Sequence, residues 1–132
     1  MKNNPEVIIV EDNELIQFLH REIVSMAGMG EKVPAFANGK DGLSYLYQRV
    51  NQDEPILVLL DINMPVMNGW DFLDALPKMR KNELVYVAVI TSSVDILDRK
   101  KAFSYPHVID FLEKPINEKQ LIKLKEQVNS KQ

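Results

Sequence analysis

In Ile56-Leu57-Val58-Leu59-Leu60-Asp61-Ile62-Asn63-Met64-Pro65, an unbroken apolar run leads straight into an acid and then a proline. A run that short and continuous, without polar alternation, reads as a strand covered on both faces, as in a parallel sheet flanked by helices. Similar runs stand at residues 7–10, 85–90 and 108–112, with a weaker one at 33–37. Amphipathic stretches separate them. Residues 13–27 carry Leu15, Ile16, Leu19, Ile23 and Met26 at helical spacing and stop at Gly28 and Gly30. Residues 39–50 place Leu43, Leu46, Tyr47 and Val50 on one stripe, and Trp70, Leu73, Leu76 and Met79 recur likewise after Gly69, with Pro77 shortening or kinking that helix. Residues 95–104 form a poorer helix closed by Tyr105-Pro106, and residues 118–128 carry Leu121, Ile122, Leu124 and Val128. Strand and helix alternate about five times, which predicts an α/β fold: a doubly wound, five-stranded parallel sheet with five helices on its two faces.

The 132 residues, 45% hydrophobic and 27% charged, fit one ordinary domain whose compact core runs from about residue 6 to 129. A chain this long buries roughly two-thirds or more of its unfolded surface, so its core needs no disulfide or metal staple. The absence of cysteine excludes thiol catalysis and thiolate zinc sites. A formal charge of -3 offers no general attraction to phosphate backbones or anionic lipid, so neither direct nucleic-acid binding nor membrane binding is expected. The basic clusters at residues 78–81 and at Arg99-Lys100-Lys101 read as solvated helix faces. The first apolar run is too short for a secretory signal or a membrane span, and the expected compartment is the cytoplasm.

In an open α/β sheet, ligands sit outside the carboxyl ends of the strands. The residues there are Glu11-Asp12 after the first run, Asp61 after the third, Thr91-Ser92 after the fourth and Lys114-Pro115 after the fifth. Each has an ordinary reading by itself: Asp12 or Asn13 and residues 91–93 can cap helices, Asp61 can close a turn, and Lys-Pro is a common loop dipeptide. A parallel sheet nevertheless brings them to one rim, where crowded carboxylates repel unless a cation lies among them. Oxygen ligands without Cys or a nearby His suit a hard ion, Mg²⁺ better than Ca²⁺. Asp61 can then serve as a carboxylate nucleophile toward a phosphoryl group, with Lys114 and Thr91 bonding the phosphoryl oxygens.

The segment from Leu60 through Asp61-Ile62-Asn63-Met64-Pro65-Val66-Met67-Asn68-Gly69, together with Glu11-Asp12, Thr91-Ser92 and Lys114-Pro115, closely resembles the receiver domain of two-component response regulators. The likeness covers almost the whole chain. It implies a flavodoxin-like sheet of order 2-1-3-4-5, a single receiver domain over residues 1–132 without an effector domain, and a Lys114-Pro115 bond in the cis form. It implies that Asp61 accepts a phosphoryl group from a sensor histidine kinase or a phosphotransfer protein. Asp12, Asp61 and the backbone carbonyl of Asn63 would bind Mg²⁺ directly, and Glu11 through water. Lys114 would pair with the phosphoryl group, Thr91 would be the switch hydroxyl beside a small Ser92, and Phe111 would be the aromatic that turns inward. The output would be a protein-binding face built from the fourth helix, fifth strand and fifth helix, and the domain would hydrolyse its own aspartyl phosphate.

Two features depart from that pattern. Residues 102–107 replace the small Gly-Ala turn usual before the fifth strand, and Phe111 has no hydroxyl. His20, in mid-helix, reads as a surface or packing residue and His107 as structural, while Met64, Met67, Trp70 and Phe72 read as core or rim. A haloacid-dehalogenase-like phosphatase is the rival enzyme, but that family carries a second Asp two residues after its nucleophile, where Asn63 stands here. A flavodoxin needs a phosphate loop after the first strand, and Glu11-Asp12-Asn13-Glu14 would repel phosphate.

Overall fold

The computed structural model describes residues 4–49, 53–92 and 94–132. Five strands, β1 (Glu6–Val10), β2 (Ala35–Phe36), β3 (Ile56–Leu60), β4 (Val85–Thr91) and β5 (Val108–Glu113), form one sheet of order β2-β1-β3-β4-β5. All neighbours are parallel. The register sets Val10 beside Leu60 and Leu60 beside Val89, so β1 and β3 finish level and β4 runs two residues further, to Thr91. The fold is the flavodoxin-like α/β arrangement expected above.

Five helices cover the sheet: α1 (Glu14–Met26), α2 (Gly39–Gln48), α3 (Gly69–Ala75), α4 (Ile96–Phe103) and α5 (Glu118–Ser130). Because strand side chains alternate, Ile56, Val58 and Leu60 of β3 enter one core with residues of α2, α3 and α4, and Leu57 and Leu59 enter the other with residues of α1 and α5. That double burial is why β3 carries no polar residue.

Each helix starts at a side-chain cap: Asn13, Asn38, Asn68, Asp95 and Asn117 accept from backbone amides two or three residues on. At Asn68 and Asn117 the bond is returned by Asp71 and Gln120, a full capping box. The cap of α4 is therefore Asp95 rather than a residue within 91–93, of which Ser93 lies outside the described residues. α3 ends at Ala75, and Pro77 confines the chain to one 3-10 turn over Leu76–Lys78, the shortening that its missing amide hydrogen demands. β2 keeps only two of the five residues in its weak run.

The apolar stripe expected on α1 is rotated in the structure. Leu15 and Met26 are 64% and 67% exposed, and the line that meets the sheet runs through His20 and Val24. Tyr47 on α2 is likewise exposed, whereas Leu46 is buried; Val50 lies outside the described residues. Among the described residues, no helix is long and apolar enough to cross a membrane.

Candidate functional site

At the carboxyl rim, Glu11 leaves β1, Asp61 leaves β3, Thr91 ends β4, and Lys114 follows β5. The ladder continues past the strands to fix them: the Glu11 amide donates to the Phe36 carbonyl at 2.8 Å, and that of Asp61 to Val10 at 2.9 Å. The Lys114 amide donates to the Thr91 carbonyl at 3.0 Å. The side chains thus stand on rigid backbone. Carboxylate oxygens of Glu11, Asp12 and Asp61 all lie within 4.8 Å of one another. Glu11 and Asp61 are each 2% exposed, while Asp12 is open to solvent.

The Lys114 ammonium lies between the two buried carboxylates, with Nζ 3.0 and 3.2 Å from the Glu11 oxygens and 3.3 Å from Asp61 Oδ2. Burial disfavours its charge, but the bonds and attraction to Glu11 and Asp61 prevail and raise its pKa. Burial pushes the Glu11 carboxyl up to about 7; the Asn13 amide, 3.0 Å away, and Lys114 pull it down, and Asp61 adds to the rise. Three carboxylates against one lysine leave negative charge uncompensated. The ligand atoms on offer are oxygens, so the donor set fits a hard divalent cation.

Asn63 is exposed just beyond Asp61, and its amide points toward Asp61 Oδ1 at 3.4 Å. Residues 61–69 then turn back sharply. The Met67 amide donates to the Pro65 carbonyl at 2.7 Å across Val66, whose φ of 67° lies in the left-handed region that a β-branched residue rarely enters. Gly69 closes the loop by donating its N–H to the Ile62 carbonyl at 2.9 Å, and a Cβ there would meet the Asp61 carbonyl oxygen at 2.5 Å. Thr91 is buried beside the cluster, Ser92 is exposed, and the Lys114-Pro115 bond is cis, as expected.

Phe111 is already packed inward, 3% exposed, and its carbonyl accepts from Arg99 of α4 at 3.2 Å. The pairing of Lys114 with Glu11 was missed in the sequence, where the lysine's only expected partner was a phosphoryl group. His107 is structural: its ring nitrogen Nε2 lies 3.0 Å from Asn82 Oδ1, and burial lowers its pKa.

These groups set an expected pH profile for the metal-free protein. Glu11 binds its proton more tightly folded than unfolded, so the stability it contributes is lost as pH rises from about 4.5 to about 7. Burial lowers the His20 pKa to about 4, and that of His107 also falls. Below pH 6.5 the unfolded chain takes up protons that the folded histidines refuse, so stability also falls on acidification. Two histidines outweigh one carboxyl below pH 6.5, and folded and unfolded chains bind nearly equal numbers of these protons above about 7, so urea unfolding is expected to show stability rising from pH 5 to about 7 and level from 7 to 8.

A family model described as the response regulator receiver domain matches residues 7–126. The probable methanogenesis regulatory protein FilR2 of Methanothrix harundinacea is 27% identical over 124 residues, covering 92% of this chain and 79% of that protein. The transcriptional regulatory protein HptR of Staphylococcus aureus is 31% identical over 116 residues, which cover 88% of this chain but only 43% of HptR. Among solved structures, a two-component response regulator from Cytophaga hutchinsonii superposes with a TM-score of 0.86 at 23% identity, covering 98% of this chain and 99% of that one. One from Legionella pneumophila gives 0.78 at 28% identity, over 96% and 98% of the two chains. Nothing in these matches supports the phosphatase alternative. With its acidic rim, its lysine and its strand order all in the expected arrangement, the chain belongs to the response regulator receiver domain family.

Proposed function

We propose that Asp61 is the phosphoacceptor, taking its phosphoryl group from a histidine kinase or a histidine phosphotransfer protein. The observation that carries this reading is the Lys114 ammonium 3.3 Å from a buried strand-end carboxylate within an acidic cluster. An Asp61 oxygen attacks phosphorus, the bond to the donor imidazole nitrogen breaks, and that nitrogen keeps the electron pair and takes a proton. Lys114 turns from Glu11 to a phosphoryl oxygen, and the Thr91 hydroxyl donates to another, with Ser92 small enough to let the group approach. Asp12, Asp61 and the Asn63 carbonyl would hold Mg²⁺ directly, with Glu11 acting through water. The ion would supply positive charge against the phosphoryl oxygens. Reversal is hydrolytic: water attacks phosphorus and the Asp61 carboxylate leaves, so the chain is not a conventional enzyme but catalyses its own phosphorylation and dephosphorylation.

Thr91 and Phe111 form the proposed switch, in which the inward Phe111 ring is the arrangement that phosphorylation holds. The output surface is that of α4, β5 and α5. Support comes from α4 itself, where Ile96, Leu97 and Phe103 are exposed and only Ala102 is buried. The partner read there is a protein, and the setting is the cytoplasm.

Incubation with acetyl phosphate and Mg²⁺ is expected to add one phosphate by intact mass, mapped by peptide mass spectrometry to Asp61. Label on any other residue overturns the assignment. Asp12→Ala is expected to weaken Mg²⁺ binding at least about tenfold in an NMR titration, since a solvent-open site with few ligands depends on each charge. Undiminished binding would place the ion elsewhere.

A further inference from the structure

His20 is 2% exposed on the sheet-facing line of α1 and takes no part in the proposed phosphoryl chemistry. Its Nε2 accepts the backbone N–H of Ile116 at 3.3 Å, across 96 residues of sequence. Ile116 is itself 2% exposed, so its amide would otherwise be a buried donor without water. The bond also fixes the tautomer. Nε2 must present its lone pair, which leaves the proton on Nδ1.

The segment after β5 is short and held at every donor. Lys114 N–H goes to the Thr91 carbonyl, Pro115 has no N–H, Ile116 N–H goes to His20, and Asn117 N–H goes to Gln120 Oε1 at 2.9 Å. Two of these three contacts lie within the β4-β5-α5 unit. His20 alone reaches over from α1, the helix that follows Glu11 and Asp12. It thereby ties the backbone carrying Lys114 to the element that begins at the acidic rim.

We infer that His20 is a positioning residue for Lys114, holding the turn between β5 and α5 so that the ammonium stays within reach of Asp61. This rests on the reading of Lys114 as the group that meets the phosphoryl oxygens. Protonation would set an N–H against an N–H and a second cation near Lys114, which accords with a His20 pKa lowered to about 4 by burial and by that lysine. The imidazole thus stays a neutral acceptor throughout the physiological range.

The test compares full-length wild type, His20→Leu and His20→Gln. The leucine fills the space without accepting a bond, whereas the glutamine amide oxygen can accept from Ile116. Labelling by acetyl phosphate at fixed Mg²⁺ is expected to slow about tenfold in His20→Leu and to recover to within about threefold of wild type in His20→Gln, since a loosened catalytic group loses orientation rather than charge. Mg²⁺ affinity should be unchanged in both, because the carboxylates stay in place. Labelling of His20→Leu at the wild-type rate overturns the inference, and so does equal slowing in both variants. Nitrogen NMR on the wild type supplies a readout that needs no variant to fold: at pH 7 the His20 proton is expected on Nδ1, and a proton on Nε2 overturns the inference. A wild-type chain that takes no label on Asp61 refutes the phosphoacceptor reading instead, and the tautomer still decides whether His20 holds the turn.

Discussion

An Asp61→Asn chain is expected to lose at least about a hundredfold in labelling by acetyl phosphate, because the amide cannot act as the anionic nucleophile. The same variant should gain about 1 to 2 kcal/mol of stability without metal, because one of two buried carboxylates sharing a single lysine is gone. The reasons are independent. The first concerns chemistry at the acceptor; the second concerns Asp61 Oδ2 and the Glu11 oxygens, all within 3.3 Å of Lys114 Nζ. Asp61 also raises the Glu11 pKa, so its neutralisation should lower that pKa and steepen the rise in stability from pH 5 to about 7. Labelling at the wild-type rate would remove Asp61 from the mechanism. A stability loss would show that Lys114 compensates both acids in full.

Gly69→Ala is expected to cost about 3 kcal/mol or more in urea unfolding, one of the largest effects available to a single methyl group. The added Cβ meets the Asp61 carbonyl oxygen at 2.5 Å, the Ile62 Cα at 2.8 Å and the Asp61 carbonyl carbon at 3.2 Å. All three are backbone atoms at the mouth of β3, and none can swing aside. Relief requires either moving α3 away from the sheet, which uncovers Phe72 and Leu73, or tilting Asp61 itself. Gly28→Ala is the contrasting control: its φ is +71°, but no atom lies within 4 Å of the added Cβ. Its cost is backbone strain alone, about 1 kcal/mol.

The strand residues were legible because β3 and its neighbours are apolar on both faces, and a run such as Ile56 to Leu60 has few other uses in a protein of this size. The site was legible because strand ends in a parallel sheet converge, so four separate dipeptides became one rim. What escaped sequence reading depends on rotation and distance. The apolar positions of α1 span more than half the helix circumference, and which line meets the sheet is decided by packing against α5 and β1, which turns Leu15 outward and His20 inward. The His20 to Ile116 bond joins residues 96 apart, and no local pattern announces it. Helix ends were displaced by a residue or two wherever a cap was chosen by geometry, as with Asp95.

β3 lies at the centre of the sheet, bonded on both sides and buried along its whole length, whereas α4 is two turns long with one buried residue. These two elements should differ widely in the free energy of local opening. Backbone amides of residues 57–60 are expected to exchange with deuterium only through global unfolding, and those of α4 through local openings many times more frequent. Asp61 therefore stands at the end of the segment that opens least, and the surface proposed to answer it lies on one of the segments that open most. Asp61, as the proposed acceptor, can then stay fixed on the timescale of chemistry while α4, the helix proposed to respond, samples its alternatives many times over.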